Sequence, residues 1–326
     1  MVAGMAGIDI PILFSKGTLL VTQNRISQGV INRLRKPGDS DILVPGGTVS
    51  ILGTTSVRIE SPEHFRPTVE EVDQIIDEGS AMIPSLAAAR YIRAYAGVRP
   101  LVGSGGTGSD DRNVSRGVAL IDHTRDNVDN FVTITGGKLT TFRLMAEQTA
   151  DLVCEKLGHS APCLTRTEPL PASNAGRWTE PGLAPKTWIT QSDSSDTILC
   201  ECEMVSKGVI SSIVESLGDM KGRSFLRAVG LRSRVGKGPC QGSFCSPRVA
   251  AHLYNSGQVG GDSGLEEIRA FVNERWRGKR PVLWDLPMVQ AELQEALHCG
   301  LMDLELPLEF PSQELPLESP SGEEPS

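Results

Sequence analysis

Apolar, β-branched positions gather early in the chain in three stretches, Gly17–Ile26, Asp41–Pro45 and Thr48–Glu60, with Gly46-Gly47 between the last two. That pattern predicts antiparallel strands joined by a tight turn. The spacing then turns helical. Thr68 and Glu71 form a capping box, Val72, Ile75 and Ile76 make an apolar face, and Pro84 predicts a second helix running toward Tyr95. Strands followed by helices read as α+β, not as a doubly wound sheet. A strand over Phe131–Thr135 meets Gly136-Gly137 and then a helix with Phe142, Met145, Ala146, Thr149, Leu152 and Val153 on one face, closed by Gly158. Farther on, Val209, Ile210, Ile213, Val214 and Leu217 recur at helical spacing, and a short apolar run follows around Phe225, Leu226 and Val229. No apolar run approaches the roughly 20 residues that span a bilayer.

Composition narrows the class. With 326 residues, 39% of them hydrophobic, the chain can bury a real core over two or three domains. The formal charge of −8 sits largely in the stretch from Glu305 to Ser326, which has six acids and no base. That stretch is rich in Pro, Ser and Glu and is expected to be disordered. The remainder is close to neutral, which gives no support for a nucleic-acid partner.

Seven cysteines, an odd count, and no secretory leader at the start make a disulfide framework a poor reading. A reducing compartment, with metal or redox use of the thiols, fits better. Cys200-Glu-Cys202 and Cys240-Gln-Gly-Ser-Phe-Cys245 are two pairs able to converge on one centre, whereas Cys154, Cys163 and Cys299 are scattered. Spacing alone leaves zinc and an iron–sulfur cluster both open. Gly236 and Gly238 free the backbone before Cys240, and Ser246-Pro247 predicts a helix start directly after Cys245. A helix dipole there would favour a thiolate at Cys245 or an anionic cluster. The cysteine pairs on a helical scaffold resemble the bacterioferritin-associated-ferredoxin-like [2Fe-2S] module, with a longer gap between the pairs and a longer later pair than the smallest members have.

Two glycine-rich stretches are candidates for cofactor contact. Gly103-Ser-Gly105-Gly-Thr-Gly108 spells the dinucleotide fingerprint but is followed by polar residues, not an amphipathic helix, so a surface loop is expected. The strand, Gly136-Gly137, helix sequence is a better candidate. A ligand can approach the backbone there, at a helix N-terminus that favours phosphate or a polarised carbonyl.

Taken in order, Ser15-Lys16-Gly17, Gly53-Thr54-Thr55, "GVRPLV" at 97–102, "NVSRG" at 113–117 and "TITGGKLTTFRLMAE" at 133–147 resemble the flavin-dependent glycerol-3-phosphate dehydrogenases. With the cysteine module behind them they resemble the catalytic subunits of the anaerobic, quinone-linked members, over nearly the whole chain to about Asp303. The resemblance implies an α+β / α/β architecture. An antiparallel-sheet substrate cap (1–95) precedes a returning strand and helix of the FAD-binding domain (96–160), a linker (161–196), a helical [2Fe-2S] domain (197–256), a helical segment (257–304) and the acidic tail (305–326).

It implies site residues as well. Arg99 matches the arginine at the substrate, where a guanidinium fork suits phosphate or a hydroxyl losing its proton. Arg116 matches a second basic residue near the phosphate. Lys138 falls close to the flavin ring and substrate, although a lysine at a helix start is as well placed in solvent. Gly136, Gly137, Leu139 and Thr140 would offer backbone contacts to the flavin, and Cys200, Cys202, Cys240 and Cys245 would hold the cluster. His123 is the one histidine near this constellation, able to serve as a base but more often structural at a strand end. The implied cofactors are FAD and a [2Fe-2S] cluster.

A family member should begin with a strand, a true G-x-G-x-x-G and an acidic residue holding the ADP half of FAD. The chain is expected to start inside that pattern, as a fragment, as one half of a split pair whose other chain carries the nucleotide segment, or from a misplaced start. The implied reaction oxidises glycerol 3-phosphate to dihydroxyacetone phosphate, with electrons leaving through the cluster toward quinone. Implied partners are flavin and iron–sulfur anchor subunits of a complex at the inner face of the cell membrane, with this chain cytoplasmic. Two other readings are a redox adaptor in which only the iron–sulfur module works, and a zinc-stapled binding module.

Overall fold

The computed structural model describes residues 2–102, 117–169, 188–190, 193–217, 224–261 and 263–304. A short helix α1 (Val2–Met5) leads into β1 (Ile12–Thr22), the spine of a six-stranded antiparallel sheet. On one edge, β4 (Val49–Gly53) pairs with the later half of β1 and β5 (Val57–Ile59) with the earlier half. On the other, β6 (Tyr91–Val102) follows the whole of β1, from Ile12 opposite Val102 to Thr22 opposite Tyr91. β2 (Ile31–Asn32) and β3 (Ile42–Gly46) extend the sheet beyond β4, and Gly47, at φ 71°, makes the expected turn from β3 into β4.

The capping box forms as the sequence predicts. Thr68 accepts from the Glu71 amide, the Glu71 side chain accepts from the Thr68 amide, and α2 (Val69–Met82) follows. Its Val72 and Ile75 pack with Leu20, Leu43, Leu52 and Tyr91 in the core under the sheet. The expected second helix is different. Pro84 opens only a 3-10 turn, Pro84–Ala88, after which the chain enters β6. The Ala-rich stretch has good local helix propensity, but eleven of the twelve residues of β6 find partners along β1, with Tyr91, Ile92 and Ala94 buried, and that tertiary pairing wins. β6 also runs from the first expected region into the second.

β7 (Val118–Asp122) and β8 (Val132–Gly136) form a separate two-stranded pair, and α3 (Phe142–Lys156) follows, with Gly158 at φ 70° just beyond it. No residue of α3 is buried, and Phe142 is 67% exposed. The apolar face that the sequence aligned is therefore only partly covered by the described residues: Met145, Thr149 and Leu152 are half-buried, while Phe142, Ala146 and Val153 are exposed.

β9 (Ile198–Cys200) and β10 (Val205–Ser206) open the carboxy-terminal part. α4 (Lys207–Leu217) and α5 (Phe225–Arg232) form where the apolar spacing predicts them, and α6 (Cys245–Asn255), α7 (Ser263–Trp276) and α8 (Asp285–Glu295) follow. Ile210, Ile213, Leu226, Val249, Leu253 and Phe271 make their shared core, each side chain contributing about 1.5–3 kcal/mol by burial. Cys200 and Cys245 belong to this core. The two parts meet: Val282 packs into the core under the sheet, and the Ala94 amide donates to the Gly278 carbonyl at 2.8 Å. No described helix is long and apolar enough to cross a membrane. Arg116, the Gly103–Gly108 stretch and the acidic tail lie outside the described residues.

Candidate functional site

Three motif segments, far apart in sequence, converge on one guanidinium. β6 carries Arg99 opposite Ser15 of β1, and its side chain lies across Gly17. A Cβ at Gly17 would stand 2.3 Å from an Arg99 terminal nitrogen, so the missing side chain is what admits the guanidinium. The fork then donates to the Thr54 hydroxyl at 3.1 Å and the Thr55 carbonyl at 3.4 Å.

The same segments make a buried polar network. The Lys16 ammonium pairs with Glu71 at 2.8 Å, both side chains less than a tenth exposed, and donates to the Arg66 carbonyl. Glu71 also accepts from the Thr55 hydroxyl, which accepts from the Thr18 amide. Lys16 and Glu71 are thus fully engaged in holding the segment on which Arg99 rests. In the sequence, Ser15-Lys16-Gly17 stands out only as part of a resemblance; the acid that matches Lys16 sits in α2, and no local signal joins the two.

The Gly136-Gly137 turn lies beside the end of the same strand. Both glycines have positive φ, 78° and 72°, and the Cβ position of Gly136 is 3.7 Å from a Val102 methyl. Val102 is three residues from Arg99, about 10 Å along a strand. Lys138, Leu139 and Thr140 are exposed, Leu139 at 89%. The backbone of this turn is therefore open to a ligand, as a contact to a flavin requires. Lys138 sits at the solvent, its amide donating to the Thr141 hydroxyl. His123 is buried and held at both ring nitrogens, by Asp126 at 2.7 Å and Thr133 at 2.9 Å. That arrangement fixes the end of β7 and makes its role structural.

The second place is a ring of thiols. Cys202 Sγ lies 3.9 Å from Cys200 Sγ and 3.7 Å from Cys240 Sγ, and Cys245 closes the ring against Cys200 and Cys240. The bracketing segments explain the convergence. β9 delivers Cys200, the turn after it Cys202, and the start of α6 Cys245. Gly238 leaves the space that Cys202 occupies, since a Cβ there would meet its sulfur at 2.6 Å.

The ring is electrostatically uneven. Cys200 and Cys240 are hydrogen-bonded to Cys202 and Cys245 and have a lowered pKa; backbone amides of Gly236 and Glu203 add to Cys200, and those of Gly242 and Phe244 to Cys240. Cys202 and Cys245 are pushed up by the same contacts and by burial. Cys245 begins α6, and the amides near that start are directed at Cys240.

A cavity of about 350 Å³ opens beside Cys202, Cys240 and Cys245, with Phe244 and an Arg248–Glu201 ion pair of 2.6 Å in its lining. The donor chemistry, four thiols with amides directed at two of them, fits a soft metal centre. Among the described residues no group of three or more His, Cys, Asp or Glu side chains stands arranged around a metal position.

Residues 1–152 match the FAD dependent oxidoreductase family. The A subunit of the anaerobic glycerol-3-phosphate dehydrogenase of Escherichia coli K12 is 40% identical over 330 residues, covering 93% of this chain and 59% of that protein. The protein of the same name from Haemophilus influenzae is 42% identical over 325 residues, covering 93% of this chain and 57% of its own. A solved glycerol-3-phosphate dehydrogenase from Bacillus halodurans, complexed with FAD, aligns at a TM-score of 0.42 and 18% identity over 88% of this chain and 57% of that one. The chain thus spans less than two thirds of the length of these relatives.

Proposed function

From 40% identity along 93% of the chain, we propose that this protein carries the substrate side and the electron exit of an FAD-dependent glycerol-3-phosphate dehydrogenase of the anaerobic type. The observation that carries the reading is the convergence of four thiols, from two distant pairs, in the same chain as the Arg99 constellation.

Arg99 binds the phosphate of glycerol 3-phosphate or steadies the C2 oxygen as its proton leaves, because a fixed guanidinium fork offers two parallel donors to an anion. Thr54 and Thr55 hold that fork, and the buried Lys16–Glu71 pair holds Thr55. Arg116 is the second phosphate contact, and Lys138 lies close to the flavin ring and substrate. Gly136, Gly137, Leu139 and Thr140 would hold the flavin ring by their backbone. When bound, FAD would supply a two-electron acceptor for the C2 hydride and a [2Fe-2S] centre a one-electron route onward. Cys200, Cys202, Cys240 and Cys245 would hold that centre, in a helical domain over 197–256 behind the cap (1–95) and the returning strand and helix (96–160). Partner subunits at the membrane would take the electrons toward quinone.

A second reading rests on one distance. Cys202 and Cys240 belong to different pairs yet approach to 3.7 Å, close to the ~3.8 Å edge of a tetrahedron with metal–sulfur bonds of about 2.3 Å. A single zinc would staple the module without redox chemistry. Metal analysis and visible absorption of anaerobically purified chain separate the two: iron and sulfide in equal amounts with a broad visible band are expected, and colourless protein holding zinc sinks the electron-transfer reading. In a full-length dehydrogenase context, Arg99→Ala is expected to lower glycerol 3-phosphate oxidation at least tenfold; unchanged kcat/KM would remove its assigned role.

A further inference from the structure

Positive charge collects near the thiol ring, drawn from four separated places in the sequence, with Lys279 buried and Arg93, Lys237 and Arg275 half-buried. Arg93 comes from β6, Lys237 from the loop before Cys240, Arg275 from the end of α7 and Lys279 from the turn after it. Only part of this charge is matched. Arg93 and Arg275 share Glu274 at 3.7 and 3.9 Å, whereas Lys237 and Lys279 have no carboxylate within ion-pair distance among the described residues. Lys279 is 6% exposed.

A buried ammonium without a counter-ion is costly, and burial with neighbouring cations lowers both lysines to about 8 and Arg275 to about 10. Glu274 and Cys245 act on Arg275 in the opposite, stabilising sense, Glu203 does so on Lys237, and on Lys279 the opposing group is Cys240.

Two of the cations are also linked to Cys240 and Cys200 through one intervening group each. Lys279 donates to the side-chain carbonyl of Gln294, whose amide donates to the Cys240 carbonyl at 3.0 Å and to the Ser243 hydroxyl. Arg275 donates to the Gly236 carbonyl at 3.3 Å, and the Gly236 amide donates to Cys200. Each of Cys240 and Cys200 thus has a cation one group away, Lys279 and Arg275 respectively.

We propose that Lys279 and Arg275, assisted by Lys237, are positioning residues that supply the counter-charge of the thiolate centre and hold its reduction potential up. Four thiolates around two ferric ions and two sulfides carry a net charge of −2, and reduction by one electron makes it −3. Fixed positive charge in a low-dielectric interior favours the more negative state. The side opposite the cations, with the cavity, Phe244 and the Arg248–Glu201 pair, stays open. The cations therefore act from the interior and leave the exposed side free.

The inference rests on the iron–sulfur reading, and its test keeps the two apart. Iron content and visible spectrum of the wild-type chain come first; colourless protein with zinc overturns the electron-transfer reading and this proposal with it. With a cluster present, midpoint potentials are measured for wild type, Lys279→Gln and Lys279→Arg. Gln keeps a polar group for Gln294 without the charge, and Arg keeps the charge. Lys279→Gln is expected to cut the reduced-to-oxidised ratio at the wild-type midpoint about tenfold, a shift of about 59 mV for one electron. Lys279→Arg should stay near wild type. If Lys279→Gln loses iron while Lys279→Arg retains it, the counter-charge role is supported through assembly. An intact cluster with an unmoved potential in Lys279→Gln, or loss of iron in both variants, overturns it.

Discussion

Arg99 owes its position to a residue with no side chain. The guanidinium covers Gly17, where a Cβ would meet three of its atoms at 2.3–2.7 Å, and reaches Thr54 and Thr55. The colliding atoms are the far end of a flexible side chain, so Gly17→Ala is expected to fold and to displace Arg99. Thermal unfolding of Gly17→Ala should stay close to wild type while substrate oxidation, measured in a full-length context, falls about tenfold; equal loss of stability and activity would show that Gly17 serves packing alone. Most of this constellation could be read in the sequence, because Gly17, Thr54, Thr55 and Arg99 all lie in recognisable motifs. The cations behind the thiols could not. Arg93, Lys237, Arg275 and Lys279 follow no spacing rule, and they become a group only when β6, the loop before Cys240 and the end of α7 meet.

Elements formed locally are the legible ones. α2 starts where Thr68 and Glu71 place it, and α4, α5 and α6 where apolar spacing or Ser246-Pro247 predicts them. Thr68→Ala removes the hydroxyl that accepts from the Glu71 amide, at a cost of about 1 kcal/mol. A lower urea midpoint with unchanged slope is the expected result, and an unchanged midpoint would mean that the Lys16–Glu71 pair holds the helix start unaided. β6 departs from the expected helix for the opposite reason. Its Ala-rich approach suits a helix, yet its backbone groups find partners far earlier in the chain, with Leu101 opposite Leu13 of β1, which no local pattern reports. α3 is a helix as predicted, but the described residues cover its apolar face only in part, so periodicity specifies the element and not its packing.

Across the whole molecule, the thiol ring is tied to the sheet by charge. Glu203, the neighbour of Cys202, is buried and binds Arg234 at 3.0 Å; Arg234 donates to the Gly46 carbonyl at 2.8 Å, and the Thr48 hydroxyl donates to Glu203 at 2.6 Å. Both ends of the turn between β3 and β4 are thereby fastened to the Cys200–Cys202 segment. Arg234→Met would leave Glu203 buried without its cation, at a cost of about 3 kcal/mol. Denaturant unfolding followed by far-UV circular dichroism and tryptophan fluorescence is expected to show transitions that coincide in wild type and separate in the variant; transitions that still coincide would mean the Val282 and Gly278 contacts suffice. By itself the sequence determined α2 with its capping box, α3, α4 and α5, the candidate thiols and the motif residues around Arg99, because each of these depends on neighbours a few positions away or on residue chemistry alone. Only the tertiary structure decided that β6 is a strand, that the two cysteine pairs close into one ring, and that cations from distant segments gather near it. Each of those outcomes depends on which distant groups share a low-dielectric space, and only packing brings them together.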